Sequence, residues 1–343
     1  MIHLVTLDFP PTYDGGVATW TAEVALGLVE AGEAVTVYAR SDRGVSAHDR
    51  ALPYPVIRLR GRSWGARGGD WVALQVSPLV RAGDEVIFAT WPLAARASGG
   101  LQRRRIRHAV AFHGSDLTRL AEAPASLQAV AAGASCLPVS RFLLGELRRL
   151  VPGADGAVIP QPSGAAVGGG AGERGLIVVA RLNHLKGVDR VLRIARALRW
   201  PVTVVGDGPA RAALEALAAE LAIEARFTGR LSREQTIEAY DGHAFCALLP
   251  RVDRDGSGGE GFGLTLLEAM GRGVPAVGCA TGGVPEAAGP GLLLDEPDDA
   301  EGSAAAIRAW LRGGDRGGEG LAWVRAAHGR GRVVAAILGA LRP

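Results

Sequence analysis

The sequence predicts an α/β protein built from two doubly wound, Rossmann-like domains. Short apolar runs alternate with longer amphipathic runs along the chain, which is typical of a parallel sheet covered by helices on both faces. The alternation stops once, in a glycine-rich stretch that begins near residue 161, and then restarts. A length of 343 residues also suits about two domains.

The first half of the chain carries the pattern of one such domain. Strands are predicted at 2–7, 34–39, 54–59, 84–90, 108–113, 134–139 and 156–160. Helices are predicted between them at 17–31, 70–82, 92–105, 116–132 and 140–150.

The second half repeats the pattern. Strands are predicted at 175–180, 201–206, 224–228, 244–249, 274–278 and 291–294. Helices are predicted at 186–199, 209–222, 232–242, 263–272, 299–312 and 319–340, the last with a break at Gly329 and Gly331.

These elements predict the domain boundaries. The first domain covers 1–162, a linker covers 163–174, and the second domain covers 175–320. A C-terminal helix over 321–343 can cross back onto the first domain. Ligands of such sheets bind outside the carboxyl ends of the strands, so we expect the two domains to face each other across a ligand-binding cleft.

Composition excludes several classes of protein. The hydrophobic fraction of 48% and the net charge of +3 argue against wholesale disorder and against a dedicated nucleic-acid binder. The N-terminus resembles a strand rather than a signal peptide, and no apolar run approaches the length of a membrane span. Three widely spaced cysteines, each in an apolar run, indicate buried free thiols and a cytoplasmic location: Cys136, Cys246 and Cys279.

Lys186 is the single lysine among 38 basic residues. It opens a predicted helix, five residues after Arg181 at the end of a strand. A lysine is a compact point charge, so two cations beside a helix N-terminus can neutralise a diphosphate. A solvated helix start with two unrelated charges is the alternative.

A glycine-rich loop runs from Gly256 into an apolar helix and carries two glutamates, Glu260 and Glu268. Glycines let a ligand approach the backbone, and the free amides at a helix start attract anions. Glu268 can hold two adjacent hydroxyls, as on a ribose, and Glu260 can reach a second polyol such as a sugar. Neither has metal-ligand spacing, and the pair Asp253 and Asp255 is interpreted as an acidic surface loop.

Further loops fit the same edge of a sheet. Val204–Pro209 and Thr228–Ser232 each join a strand to a helix, with Ser232 as the helix cap. In the first half, Gly15 and Gly16 precede a helix in a manner that suits a phosphate, without the dinucleotide-binding fingerprint. His113 ends a strand, where it could donate a hydrogen bond, act as a base or cap the next helix.

These residues, in this order, resemble the retaining GT-B glycosyltransferases of family 4. The resemblance spans nearly the whole chain and rests on Gly15-Gly16, His113–Asp116, Val139–Phe142, Arg181 to Gly187, Gly206–Pro209, Gly229, Glu260 with Glu268, and Gly282–Glu286. Pro160-Gln161-Pro162 departs from the usual Pro-Asn-Gly of the family. In its compactness the chain is similar to members of antibiotic pathways of the avilamycin type.

The resemblance implies a role for each matching residue. Arg181 and Lys186 would neutralise the donor diphosphate, together with backbone at Gly15-Gly16 and Leu264-Thr265. Glu268 would hold the ribose, and Arg230-Leu231 the base. Glu260, with the backbone of Gly261, Phe262 and Gly263, would bind the sugar, and His113 would contact it from the first domain. Gly206 and Gly208 would line the donor site.

The resemblance further implies retaining transfer from a UDP-, GDP- or dTDP-sugar, with UDP favoured, to an acceptor hydroxyl, without a metal or other cofactor. The acceptor would be a small or lipid-linked saccharide of antibiotic oligosaccharide or envelope glycolipid synthesis. Two basic loops, around Arg58–Arg67 and Arg103–Arg107, could meet an anionic acceptor or a membrane surface, or form a solvated face. A sugar-nucleotide epimerase and a non-catalytic nucleotide-sugar-binding protein stay open as alternatives.

Overall fold

The computed structural model describes residues 1–12, 15–60, 68–114, 116–118, 120–164, 168–252 and 259–342. It divides into two compact units. Unit 1 contains Met1–Pro162 and Gly329–Pro343, and unit 2 contains Ser163–His328. Glycine-rich residues 168–174, predicted as part of a linker, are grouped with unit 2.

In the described part of unit 1, six parallel strands form one sheet. They are β1 (Ile2–Val5), β2 (Val35–Arg40), β3 (Val56–Leu59), β4 (Glu85–Phe88), β5 (Arg107–Phe112) and β6 (Ser135–Pro138). The order across the sheet is β3-β2-β1-β4-β5-β6. The helices between the strands are α1 (Gly16–Glu30), α2 (Ser46–Arg50), α3 (Gly68–Gln75), α4 (Trp91–Ala94), α5 (Ser98–Arg103), α6 (Ala125–Gly133) and α7 (Arg141–Leu150).

The described residues of unit 2 form a second parallel sheet of the same topology. Its strands are β7 (Leu176–Val179), β8 (Val202–Val205), β9 (Ala225–Gly229), β10 (Phe245–Ala247), β11 (Ala276–Cys279) and β12 (Leu292–Leu294). Its helices are α8 (Val188–Leu198), α9 (Arg211–Glu220), α10 (Arg233–Ala239), α11 (Leu264–Gly271), α12 (Val284–Ala288), α13 (Ala300–Leu311) and α14 (Arg316–His328). The predicted class of two Rossmann-like domains is confirmed.

The strand order of unit 2 fixes where a ligand can bind. The order is β12-β11-β10-β7-β8-β9, so the chain moves outward from β7 in one direction and later resumes at β10 on the other side. Between β7 and β10 the connecting loops diverge and leave a crevice at the carboxyl ends of the strands. The loops that follow β7 and β10 therefore border this switch point.

Several predicted elements are shorter than expected. The strand predicted at 156–160 is reduced to an isolated bridge between Cys136 and Gly156, because Pro138 and Pro160 have no N–H for a continuous ladder. The helix predicted over 70–82 ends at Gln75, ahead of Pro78. The helix predicted over 116–132 is confined to α6, which starts directly after Pro124.

Other helix boundaries also differ from the prediction. Two short helices, α4 and α5, replace the single helix predicted over 92–105, and turn residues 95–97 separate them. The predicted break at Gly329 is confirmed, whereas Gly331 lies inside the following helix. Helix α12 was not predicted at all, since its five residues are too few for a helical period.

The last helix, α15 (Arg330–Leu341), belongs to unit 1. Its apolar face is buried in the core that also contains β1 and α1, through Val333, Val334, Ile337 and Leu341. Arginines hold both of its ends. Arg330 pairs with Glu23 and Glu30, and Arg342 pairs with Glu33 and the buried Glu85.

We expect Arg342→Ala to lower the free energy of unfolding by about 2 kcal/mol, because it removes a partner from the buried Glu85 carboxylate. Arg332→Ala, at an exposed position of the same helix, is the control and should change stability by no more than about 0.5 kcal/mol. Equal effects of the two substitutions on urea unfolding would show that the Arg342 pairs contribute nothing.

The second partner of Arg342, Glu33, makes the effect depend on pH. The hydrogen bond from Arg342 lowers the pKa of Glu33 in the folded state. A carboxyl group with a lowered pKa stabilises the folded state at pH values above its ordinary pKa. This stabilisation is lost as the pH falls through the pKa of the folded state. The difference between Arg342→Ala and the wild type should therefore shrink as unfolding is measured at decreasing pH below about 5.

Candidate functional site

The loops that follow β7, β8 and β9 line an open cavity at the carboxyl edge of the unit 2 sheet. The cavity has a volume of about 620 Å³ and is lined by Arg181, Asp207, Gly208 and Arg230. These four residues come from three separate predicted loops, which the parallel topology brings to one edge. A cavity of this size can hold a ligand of several hundred daltons.

Two exposed arginines give this cavity its charge. Arg181 follows β7 and Arg230 follows β9. Neither guanidinium has a hydrogen bond or ion pair to any described residue, whereas Asp207 lies 3.5 Å from Arg211. Two guanidinium groups without protein partners favour an anionic ligand, because each can donate bidentate hydrogen bonds to phosphate or carboxylate oxygens.

Glycines set the shape of the cavity floor. A Cβ atom on Gly206, at φ +127°, would lie 2.0 Å from the carbonyl oxygen of Ala180. A Cβ on Gly208 would lie 2.3 Å from that of Leu182. The loops after β7 and β8 thus pack backbone against backbone. Gly206 and Gly208 shape this edge of the sheet through that packing, and their place in a donor site stays a prediction.

Lys186 lies in the loop that follows β7. It ends a 3₁₀ turn, His184–Lys186, in which the Asn183 carboxamide oxygen accepts from the Lys186 amide at 3.2 Å. Gly187 follows in the left-handed region at φ +64°, where a Cβ would lie only 1.8 Å from the carbonyl oxygen of Leu249. The backbone on both sides of the lysine is therefore held in place.

The Lys186 ammonium meets Glu260, from the loop that follows β10. Nζ lies 2.5 Å from Oε2, and the two side chains are 30% and 16% exposed. The switch point explains this contact, because β7 and β10 are neighbours although their residues are far apart in sequence. Lys186, predicted to bind the diphosphate, and Glu260, predicted to bind the sugar, thus form an ion pair in this structure.

The glycine pair Gly282-Gly283 holds the Glu260 loop. The Gly283 amide donates to the Glu260 carbonyl oxygen at 2.8 Å. A Cβ on Gly282, at φ +58°, would lie 2.3 Å from that oxygen, and a Cβ on Gly283 would lie 2.2 Å from the Gly261 oxygen. Gly282 and Gly283 therefore allow their own backbone to pack directly against the backbone of Glu260 and Gly261.

Helix α11 starts directly after this loop. Its N-cap, Gly263, has φ +112° and, as a glycine, has no side chain that could cap the first-turn amides. Phe262 is buried, and the Thr265 hydroxyl oxygen is buried without a hydrogen-bond partner among the described residues. Leu264 and Thr265 are half-buried at the start of the helix. This arrangement suits an anion at the helix N-terminus.

Glu268, predicted to hold a ribose, is buried on α11 with 3% exposure. Both of its carboxylate oxygens accept hydrogen bonds from neighbouring residues. Arg233 donates to Oε1, and the Tyr240 hydroxyl donates to Oε2 at 2.8 Å. Each oxygen keeps a second lone pair for a further donor.

Tyr240 and Arg233 are site residues that sequence reasoning missed. Tyr240 is fully buried, and its pKa is raised well above the ordinary value by burial and by Glu268, so it stays a proton donor. A tyrosine at the end of an amphipathic helix is typical of core packing and gives no sign of this bond. Arg233 directly follows the helix cap Ser232, where it could be taken for a solvated charge.

The remaining predicted site residues lie in unit 1. Gly15 is the N-cap of α1 and Gly16 its first residue, and a Cβ on Gly15 would meet no atom within 4 Å. His113 follows β5, and the Asp116 carboxylate accepts from the amides of His113 and Gly114. The contribution of Gly15, Gly16 and His113 to a donor site stays a prediction.

His113 is held as a neutral imidazole. Burial lowers its pKa to about 4, although one ring nitrogen bonds the Ala89 carbonyl. Nε2 is buried and has no partner in the part of the chain that the structure describes, and the ring packs edge-on against Trp20 at 5.1 Å between centroids. A neutral ring is suited to hydrogen bonding rather than to supplying a positive charge.

Some predictions concern residues outside the site or outside the described ranges. The acidic pair Asp253 and Asp255, and Arg62 and Arg67 of the first basic loop, lie outside the described residues. Arg58 of that loop bonds Asp49 and the Pro10 carbonyl. In the second loop, Arg104 bonds the carbonyls of Ser77 and Val80.

The described residues contain neither a candidate metal cluster nor a helix suited to span a membrane. They contain no group of three or more His, Cys, Asp or Glu side chains that could hold a metal ion. Among their helices, none combines the length and the apolar character needed to span a bilayer. The three cysteines are buried and free, as predicted.

A family model and several named proteins match this chain in sequence. Residues 169–318 match the family model described as glycosyl transferases group 1. The chain is 29% identical to a GDP-mannose-dependent alpha-(1-6)-phosphatidylinositol monomannoside mannosyltransferase of Mycobacterium tuberculosis, over 83% of this chain and 82% of the relative. A GDP-mannose-dependent monoacylated alpha-(1-6)-phosphatidylinositol monomannoside mannosyltransferase of Corynebacterium glutamicum is 26% identical over 86% and 84%.

Solved structures share the fold at low sequence identity. A glycosyltransferase involved in avilamycin A biosynthesis superposes with a TM-score of 0.70 at 16% identity, over 99% of this chain and 96% of the other. HepE of Anabaena, in complex with UDP and glucose, gives 0.72 at 15% identity, over 99% and 98%. These likenesses extend over both units.

We expect Tyr240→Phe to lower the free energy of unfolding by about 1–3 kcal/mol, because it removes a hydrogen bond from the buried Glu268 carboxylate. Tyr54→Phe is the control. Tyr54 is also buried, but its hydroxyl has no hydrogen bond to a described residue. Thermal and urea unfolding of both variants provide the measurement, and a Tyr240→Phe loss no greater than the control would contradict the assigned bond energy.

Proposed function

We propose that this chain, which is a glycosyltransferase of the GT-B fold, transfers a hexose from a nucleoside diphosphate sugar to an acceptor hydroxyl, with retention at the anomeric carbon and without a metal ion. The observation that carries the proposal lies at the switch point of unit 2. There, cations for a diphosphate and carboxylates for hydroxyls lie on neighbouring loops of one sheet edge.

The cations would bind and stabilise the leaving diphosphate. Arg181 lines the cavity, and Lys186 lies in the same loop. As the bond between the sugar and the diphosphate breaks, negative charge grows on the departing phosphate oxygen. Preorganised cations and helix amides at that point lower the barrier. The amides at the start of α11 supply further donors, so charge stabilisation does not require a metal.

The carboxylates would bind the neutral parts of the donor. Glu268 has lone pairs left for the two ribose hydroxyls, and its two protein partners fix its orientation. Glu260 would accept from the sugar hydroxyls, with the backbone of Gly261 to Gly263 beside it. Arg230 and Leu231, at the end of β9, would contact the base across the cavity from Arg181.

GDP-mannose is the donor that the relatives favour. The mannosyltransferases that match over most of this chain are named as GDP-mannose-dependent. The preference for UDP inferred from family resemblance stays a competing prediction. The names of these mannosyltransferases also contain phosphatidylinositol monomannoside, so we propose a glycolipid acceptor ahead of a small saccharide.

The donor is tested directly by calorimetry and by a transfer assay. We expect GDP and GDP-mannose to bind with micromolar dissociation constants, in the range of about 1–100 μM, equally with and without EDTA. UDP and UDP-glucose serve as the matched alternative pair. Binding of none of these four compounds, and of neither dTDP nor dTDP-glucose, would refute the proposed function, and loss of binding in EDTA would refute metal independence.

The products separate transfer from the two remaining alternatives. Mannosyl transfer to a phosphatidylinositol mannoside, detected by mass spectrometry with the linkage stereochemistry read by NMR, is the expected outcome. Conversion of the donor into an epimer without any acceptor would indicate an epimerase. Donor binding with no product from any acceptor would indicate a nucleotide-sugar-binding protein.

Lys186→Ala tests the charge on the diphosphate. Losing a charge-assisted contact should weaken GDP binding by about 10- to 100-fold. Arg193→Ala, at an exposed position of the neighbouring helix α8, is the control and should leave the dissociation constant within about twofold. Equal effects in the two variants would remove Lys186 from the diphosphate site.

A further inference from the structure

The ion pair between Lys186 and Glu260 joins two groups that the proposed function assigns to different parts of the donor. Nζ lies 2.5 Å from Oε2. Within the described part of the chain, the lysine ammonium has no other partner. To bind a phosphate, Lys186 must either turn away from Glu260 or contact both anions at once. The site thus contains an internal competitor for the diphosphate.

The backbones beneath this pair are held, so only the side chains can exchange partners. Gly187 is packed against Leu249, and Glu260 is packed against Gly282, each at a separation that no Cβ would fit. The Asn183 side chain also caps the turn that carries Lys186. The lysine stem, by contrast, is flexible and 30% exposed at the side chain.

The free-energy cost of drawing Lys186 away from Glu260 would therefore differ between a bare nucleoside diphosphate and a sugar-bearing donor. A bare diphosphate that draws Lys186 away leaves Glu260 without a cation, half-buried and close to new negative charge. A sugar-bearing donor brings hydroxyls that donate to the freed carboxylate. The pair therefore weakens binding of the product, whereas the sugar offsets that loss for the substrate.

We propose that the Lys186–Glu260 pair is a specificity device that selects the sugar-bearing donor over the bare nucleoside diphosphate and so limits product inhibition. This inference rests on the proposed function. It assigns to Glu260 a role beyond contact with the sugar: the carboxylate holds the lysine until a ligand arrives that can satisfy both groups.

Glu260→Gln gives the test, because it keeps the shape of the side chain and removes the competing charge. We expect GDP to bind about three- to tenfold more tightly to the variant than to the wild type, while GDP-mannose binds more weakly. Glu301→Gln, at an exposed position at the start of α13, controls for general loss of negative charge and should change neither constant. Unchanged or weaker GDP binding to Glu260→Gln would overturn the proposal.

Two further variants show whether the effect passes through the lysine. In a Lys186→Met background, repulsion between Glu260 and the diphosphate remains but competition for the lysine does not, so adding Glu260→Gln should strengthen GDP binding by less than it does in the wild type. An equal gain there would overturn the proposal. Glu260→Asp keeps the charge but draws it back by one methylene, so it should also bind GDP more tightly. If the wild type binds no nucleotide at all, the proposed function itself fails. If the wild type binds GDP but the Glu260 variants do not bind it more tightly, only the present inference fails.

Discussion

Close backbone packing at the carboxyl edge of the unit 2 sheet is the constraint on which the candidate site depends. Gly187, Gly206 and Gly282 each lie where a Cβ would come within 2.3 Å of a carbonyl oxygen of another loop. All three also have positive φ, which glycine adopts without strain. The residues that carry chemistry thus lie on loops that support one another, so their backbone positions are set before any ligand arrives.

The sequence predicts this architecture well because its signals are local and periodic. The alternating runs identify the strands, and parallel topology then brings the ends of those strands to one edge. That reasoning is sufficient to bring Arg181 and Arg230 to one cavity and to identify Lys186 and Glu260 as candidates. It fails where local breakers compete with the period, as at Pro124, and where an element such as α12 is shorter than the period itself.

The partners of the candidate residues could not be predicted. Spacing shows that Glu268 lies on a helix, but not that Tyr240 and Arg233 bond its two oxygens, because these contacts depend on how α10 packs against α11. Similarly, motif order places Lys186 and Glu260 after different strands, and only the position of β10 beside β7 makes them a pair. Tertiary contacts between distant segments thus decide which groups are available and which are already occupied.

The return of α15 to unit 1 has a consequence for synthesis of the chain. Because Val333, Ile337 and Leu341 complete a core that begins at Ile2, the first 162 residues leave the ribosome without one wall of that core. Unit 2, whose residues are contiguous, can finish folding first. Growing chains generally fold from the N-terminus, at about 5–20 residues per second. Here the N-terminal unit stays incomplete for the whole time that unit 2 is translated, and its open apolar face is then accessible to chaperones.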